Sequence, residues 1–168
     1  MVKNIVFNRH LKKRVPLKQG LLGYDNAQRI GILINADEDC FPKVSNSIVE
    51  EIKKDGKQVE VVVYASVGTN VNYHFEHILL LKSDFKWNGK LNNEKVSKFC
   101  SKNLDLLYVI NSAYCFEVDY VALLSQASCK VGAQRLEQKV FFDLMVSMPN
   151  QSQDSLFSHL HFYSKKIK

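Results

Sequence analysis

Short apolar runs alternate with stretches of helical periodicity along much of the chain. Leu104 to Ile110 is an apolar run that opens on Asp105 and closes on Asn111-Ser112, the pattern of a strand buried on both faces. Phe116, Val118, Tyr120, Val121, Leu123 and Leu124 then recur at helical spacing, Ser128 ends that helix, and Cys129-Lys130-Val131-Gly132 forms the next parallel strand. Strand, helix and strand in so short a span make a βαβ unit. A second unit runs from Arg29 to Ala65. Arg29 to Ala36 is its first strand, Pro42 opens a helix that turns Val44, Ile48, Val49 and Ile52 inward before Gly56, and Val59 to Ala65 is its second strand.

The remaining segments are placed around these two units. Val2 to Val15 carries Val2, Ile5, Val6, Phe7, Leu11 and Val15 on one helical face, so residues 1–15 read as an amphipathic leader helix and 16–28 as a connector. Phe75 to Leu81 is a third strand candidate. Ser83 to Leu91 holds the turn signal Asn88-Gly89 between Trp87 and Leu91, which predicts a small hairpin or a loop pinned by aromatic side chains. Asn92 or Asn93 caps a helix presenting Val96, Phe99 and Cys100. Ala133 to Gln138 is too short for a helical crossover, which predicts that Lys139 to Met148 is an antiparallel edge strand. A last helix over about 152–167 turns Leu156, Leu160 and Tyr163 inward. The expected class is α/β: one three-layer Rossmann-like or flavodoxin-like domain over 1–168, its sheet mainly parallel with an antiparallel edge strand.

Length and composition agree with one core, since 168 residues at 46% apolar bury a single sizeable interior. No run has the length of a membrane span, and the first residues lack the apolar centre of a signal peptide, so the expected setting is cytoplasmic. The net charge of +6 sits in the leader: Lys3, Arg9, Lys12, Lys13, Arg14 and Lys18 precede the first acid, Asp25, and the rest is charge-neutral. This leader reads as a helix docked on the body. An interfacial helix on anionic lipid or a nucleic-acid arm through residues 1–18 are the other readings. Cys40, Cys100, Cys115 and Cys129 have no CxxC spacing and read as buried thiols, with Cys40 the one placed near a helix start.

Ligands of open α/β sheets bind beyond the carboxyl ends of the strands. The ligand-binding candidates there are Asp37, Glu38 and Asp39 after the first strand, Ser66 after the second, and Asn111 and Ser112 after the strand of the central unit, with Thr69 and Tyr114 beside them. Three carboxylates at the first strand-to-helix turn would repel a phosphate, and the chain has neither G-x-G-x-x-G nor a P-loop. The acidic loop could hold a Mg²⁺ ion, though such a loop at a helix start more simply complements the helix dipole. A receiver-like phosphoacceptor site lacks its aspartate, because Asp105 stands at the wrong end of its strand. His74-x-x-His77 and His159-x-His161 read as surface or half-buried histidines. No metal, cofactor or catalytic residue is expected.

Two resemblances add to this. The succession KNIVFNRHLKK, RIGILINA, FKWNGKL, LDLLYVINS, YVALLSQASCKVG and FFDLMV resembles a family of small uncharacterised proteins from Bacteroidota, which implies a bacterial protein of unknown function. More locally, Asp105 to Gly132 is similar to a segment of heptosyltransferase-type glycosyltransferases. These readings combine into an expected binding or interaction module without catalysis, whose partner is left open, another protein or a second copy being the candidates. The alternative is a glycosyltransferase-like or phosphoryl-handling enzyme at the same loops.

Overall fold

The computed structural model describes residues 2–13, 21–39, 42–67, 73–135, 141–147 and 156–167. Five helices, α1 (Val2–Lys13), α2 (Pro42–Lys54), α3 (Glu94–Ser101), α4 (Phe116–Leu124) and α5 (Leu156–Ser164), accompany six strands. The strands are β1 (Arg29–Asn35), β2 (Gln58–Ala65), β3 (Ile78–Leu81), β4 (Leu106–Ile110), β5 (Cys129–Ala133) and β6 (Leu144–Val146). They form one sheet in the order β3-β2-β1-β4-β5-β6, and every pair is parallel. This is the Rossmann order, with its topological switch point between β1 and β4. The flavodoxin-like alternative, which changes direction between β1 and β3, is thereby set aside.

Alternating side chains of the central strands feed two separate interiors. Leu33, Val62, Tyr64, Leu80, Leu107 and Val109 point to the face covered by α1, α3 and α4, with Phe7, Phe99, Phe116 and Phe141 among their neighbours. Ile30, Ile32, Ile34, Val61, Leu106, Tyr108 and Ile110 point to the other face, where α2 and α5 contribute Val49, Ile52, Phe157 and Leu160. Strands covered on both sides need apolar residues at nearly every position, and all five positions of β4 and β5 are buried.

The edge strand departs from expectation. It is parallel and spans only Leu144–Val146, pairing Val131 with Leu144 and Ala133 with Val146. A crossover needs material to cover the sheet as it returns, and a helix is only the usual way to supply it. Here Phe141 and Phe142 are buried on the α4 side, and Asp143 ties the return to β5: its carboxylate accepts from Lys130 N at 2.8 Å and its own N–H donates to Lys130 O at 2.8 Å.

Other elements match the apolar pattern with local differences. The leader is helical over Val2–Lys13 and buries Phe7 against Phe116 and Phe141, with ring centroids 6.5 and 6.0 Å apart. Leu11 packs beside this cluster, but Ile5 faces outward at 62% exposure; Val15 lies outside the described residues. Phe85 and Leu91 bridge antiparallel around Asn88-Gly89, with Gly89 at φ 79°, so the small hairpin forms. Asn93 caps α3, accepting from Val96 N at 3.1 Å. In α5 the buried face is Phe157, Leu160, His161 and Ser164, which leaves Tyr163 46% exposed and makes His161 a core residue rather than a surface one.

Candidate functional site

A continuous chain of polar side chains crosses the carboxyl ends of β1, β4 and β5. Asn35, the last residue of β1, donates from Nδ2 to Asn111 Oδ1 at 3.0 Å, and Asn111, directly after β4, donates from Nδ2 to Asp119 Oδ1 at 3.2 Å. Asp119 lies in the first turn of α4 and receives Arg135, two residues past β5, through Nη1 at 3.1 Å and Nη2 at 2.8 Å. Nη1 also donates to Ala113 O at 2.6 Å. The Arg135 and Asp119 side chains are 9% and 3% exposed. Burial raises the Asp119 carboxyl above its ordinary range, and the guanidinium and the Asn111 amide, which favour the carboxylate, offset part of that rise.

Beside this chain, the acidic loop spreads its three carboxylates to three different places. Asp37 N–H donates to Asn35 Oδ1 at 3.2 Å, and its carboxylate accepts from Ser66 N at 3.1 and 3.3 Å, which joins the ends of β1 and β2. Glu38 Oε2 accepts from Ser112 N at 2.7 Å, Ser112 Oγ at 2.9 Å and Ala113 N at 3.3 Å, spanning the switch point. Asp39 Oδ2 accepts from Ser45 Oγ at 2.7 Å in α2 and from Tyr73 OH at 2.6 Å. Desolvation and the bond to Asp39 both push the Tyr73 hydroxyl up, so it remains a donor.

All six sequence candidates therefore reach one end of the sheet, but they do not converge. Asp37 meets Ser66, Glu38 meets Ser112, Asn111 is buried beneath them, and Asp39 turns away toward α2. Mg²⁺ needs carboxylates aimed at one point, and among the described residues no group of three or more His, Cys, Asp or Glu could hold a metal ion. Cys40 and Thr69 lie outside the described residues. His74 is exposed, and His77 rests edge-on against Tyr73 and Phe75 at 6.2 and 6.1 Å.

Sequence reasoning passed over Asn35, Asp119 and Arg135. Each carried a signal: an amide ending an apolar strand, a carboxylate inside an apolar helix, and a cation just past a buried strand. Cys115 was also passed over as a site residue. It stands before α4, where the helix dipole favours a thiolate, yet burial and the carboxylates of Glu117 and Asp119 push its thiol up to about 11. Its Sγ donates to Glu117 Oε2 at 3.7 Å. Asp105, the residue at the amino end of β4, accepts from Gln28 N and Arg29 N at 2.9 and 2.7 Å and so anchors the start of β1.

No helix among the described residues is long and apolar enough to cross a membrane. No curated protein matches the chain, and no solved structure matches it. Residues 2–167 match a family profile that takes in α1, every strand and the whole polar chain from Asn35 to Arg135. The chain belongs to a family of unknown function (DUF6913).

Proposed function

We propose that this chain is a one-domain, non-catalytic binding or interaction module that receives its ligand at the carboxyl ends of β1, β2 and β4. The exposed rim of Asp37, Ser66 and Ser112 makes the contact, with Tyr114 projecting beside it, while Glu38, Asp39 and Asn111 hold the loops in place. The observation that carries this reading is the Glu38 carboxylate seated on the backbone amides of Ser112 and Ala113. Those amides, ahead of α4 at the switch point, are the donors a phosphate would require. Here the protein's own anion fills them.

Charge supports the same reading. Asp37 and Glu38 stand at the crevice, and Arg135 is committed to Asp119. A ligand bearing a cation or neutral hydrogen-bonding groups suits this rim better than a sugar nucleotide does, which weighs against the glycosyltransferase-like alternative. A protonated Cys115 offers no nucleophile. The free thiols of Cys100, Cys115 and Cys129 support a reducing compartment, and the resemblance to Bacteroidota proteins supports a bacterial one.

Amide spectra recorded with a nucleoside diphosphate and, separately, with a short diamine test the reading. The diamine should shift residues 36–39, 66 and 111–114, and the nucleotide should not. Nucleotide shifts in this loop set, or turnover of a sugar nucleotide, would overturn it.

A further inference from the structure

On the face opposite α2 and α5, α1 and the hairpin around Asn88-Gly89 lie side by side. Phe7 and Phe85 both pack on Phe116, at 6.5 and 5.9 Å, and His10 and Phe85 both pack on Tyr120, at 5.4 and 6.3 Å. Between them and α3 opens a cavity of about 360 Å³ lined by His10, Lys90, Leu91, Tyr120, Leu124 and Gln126 among others. No carboxylate is among the described residues that line it.

Trp87 stands at the tip of that hairpin. It is the chain's only tryptophan and is 86% exposed, although tryptophan is among the most buried residue types on average. The turn beneath it is rigidly built: Gly89 N–H donates to Lys86 O at 2.8 Å, Lys86 N–H to Lys90 O at 2.9 Å, and Lys90 N–H to Asn88 Oδ1 at 3.1 Å. The ring is therefore held out on a fixed support.

Lysines stand on the same hairpin and on the segments that flank it in sequence. Lys82, Lys86, Lys90 and Lys95 are exposed, and none has an ion pair among the described residues. The nearby acids are already engaged: Asp84 accepts from Leu81 N at 2.8 Å and Asn93 Nδ2 at 3.0 Å, and Glu94 pairs with Lys98 at 2.8 Å. Arg9 and Lys12 of α1 are exposed as well.

We infer that this face binds single-stranded nucleic acid, with Trp87 stacking on an unpaired base, the lysines and Arg9 on phosphates, and the cavity beside Lys90 accepting a neighbouring nucleoside. Stacking on an aromatic ring combined with a basic track is how unpaired strands are held. The cavity decides between polyanions. The Tyr120 hydroxyl and Gln126 amide can meet base edges and ribose while Leu91 and Leu124 meet a base face, whereas an acyl chain would leave the two polar groups without partners. The inference is independent of the ligand at the carboxyl ends of the strands.

Fluorescence excited selectively at tryptophan reads Trp87 without the seven tyrosines. Titration with a 15-nucleotide oligothymidylate and its uridylate counterpart at low salt should quench the emission, with affinity that weakens steeply as salt rises. By anisotropy of a labelled oligomer, Trp87→Ala should bind about tenfold more weakly. Lys86→Glu with Lys90→Glu should weaken binding further and flatten the salt dependence. All three residues are exposed, so unchanged circular-dichroism melting confirms that the variants are folded. Absence of quenching at low salt would overturn the inference. So would unaltered affinity in the folded variants, or an emission blue shift with vesicles of phosphatidylcholine and phosphatidylglycerol in place of any response to the oligomers.

Discussion

The ring of Phe142 fills the space in which a side chain at Gly132 would begin. Its Cζ, Cε2 and Cε1 stand 2.5, 2.6 and 2.7 Å from the position a Cβ would take there, nearer than real Cβ atoms approach anything. The bare backbone of β5 and the aromatic residue of the return loop are thus one unit, and together they cover the sheet where a crossover helix would otherwise lie.

Gly132→Ala should therefore cost about 1 to 3 kcal/mol, the usual penalty of overpacking. Urea midpoints would measure it. Combining it with Phe142→Leu should recover part of the loss, because the smaller side chain vacates the contested volume. An unchanged midpoint in the single variant would separate Phe142 from Gly132.

Arg135→Met should lower stability by about 3 to 5 kcal/mol, since it strands the buried Asp119 carboxylate. Adding Asp119→Leu removes the stranded charge and should return much of that loss, although Asn111 then lacks its acceptor. A double-mutant cycle on unfolding midpoints checks both steps. Additive losses would mean that the two side chains act separately.

Stability should fall as pH drops below about 6.5, the unfolded value for histidine. Burial and the nearby Lys165 ammonium lower the His161 pKa in the folded protein, against a smaller opposing pull from Glu51 and Asp55. Its ring faces Tyr24 edge-on at 4.8 Å and the Tyr108 hydroxyl at 3.3 Å. The unfolded chain thus takes up the proton first, and the loss levels off once pH is below the folded pKa. The Glu51 carboxylate, held low chiefly by Lys165, loses its own contribution at more acidic pH. Melting temperatures from pH 8 to 5 should drop in the parent and stay flatter in His161→Phe.

Phe7→Ala should cost about 3 to 5 kcal/mol, because its ring is buried against Phe116 and Phe141. Ile5→Ala, on the exposed side of the same helix, should cost little. Equal midpoints for the two variants would mean that α1 does not dock.

What the sequence revealed and what it hid follow one physical division. Buried parallel strands such as RIGILIN and LLYVI announce themselves, because both faces must be apolar. The acidic loop and the amide after β4 were visible for the same topological reason: ligand-facing loops follow strand ends. Direction was hidden wherever no helix marked it. The segment after β5 returns through Phe141 and Phe142, and aromatic covering has no periodicity to read. Pairing was hidden as well, since Asn35, Asn111, Asp119 and Arg135 come from four separated positions that only the strand order brings together. In α5 the apolar residues lie all around the helix, so Tyr163 and His161 exchanged the places expected of them.

The central position of β1 also sets a timetable for synthesis. One of its edges pairs with β2, close behind it, but the other waits for β4, with Ile34 opposite Ile110. At roughly 5 to 20 residues per second, the ribosome takes on the order of 4 to 15 s to add the chain between them. From the completion of β2 until the end of that interval, a nascent β1-β2 pair would present an open strand edge of unpaired backbone N–H and C=O groups. That exposure ends only when Leu106–Ile110 leaves the exit tunnel and closes the middle of the sheet.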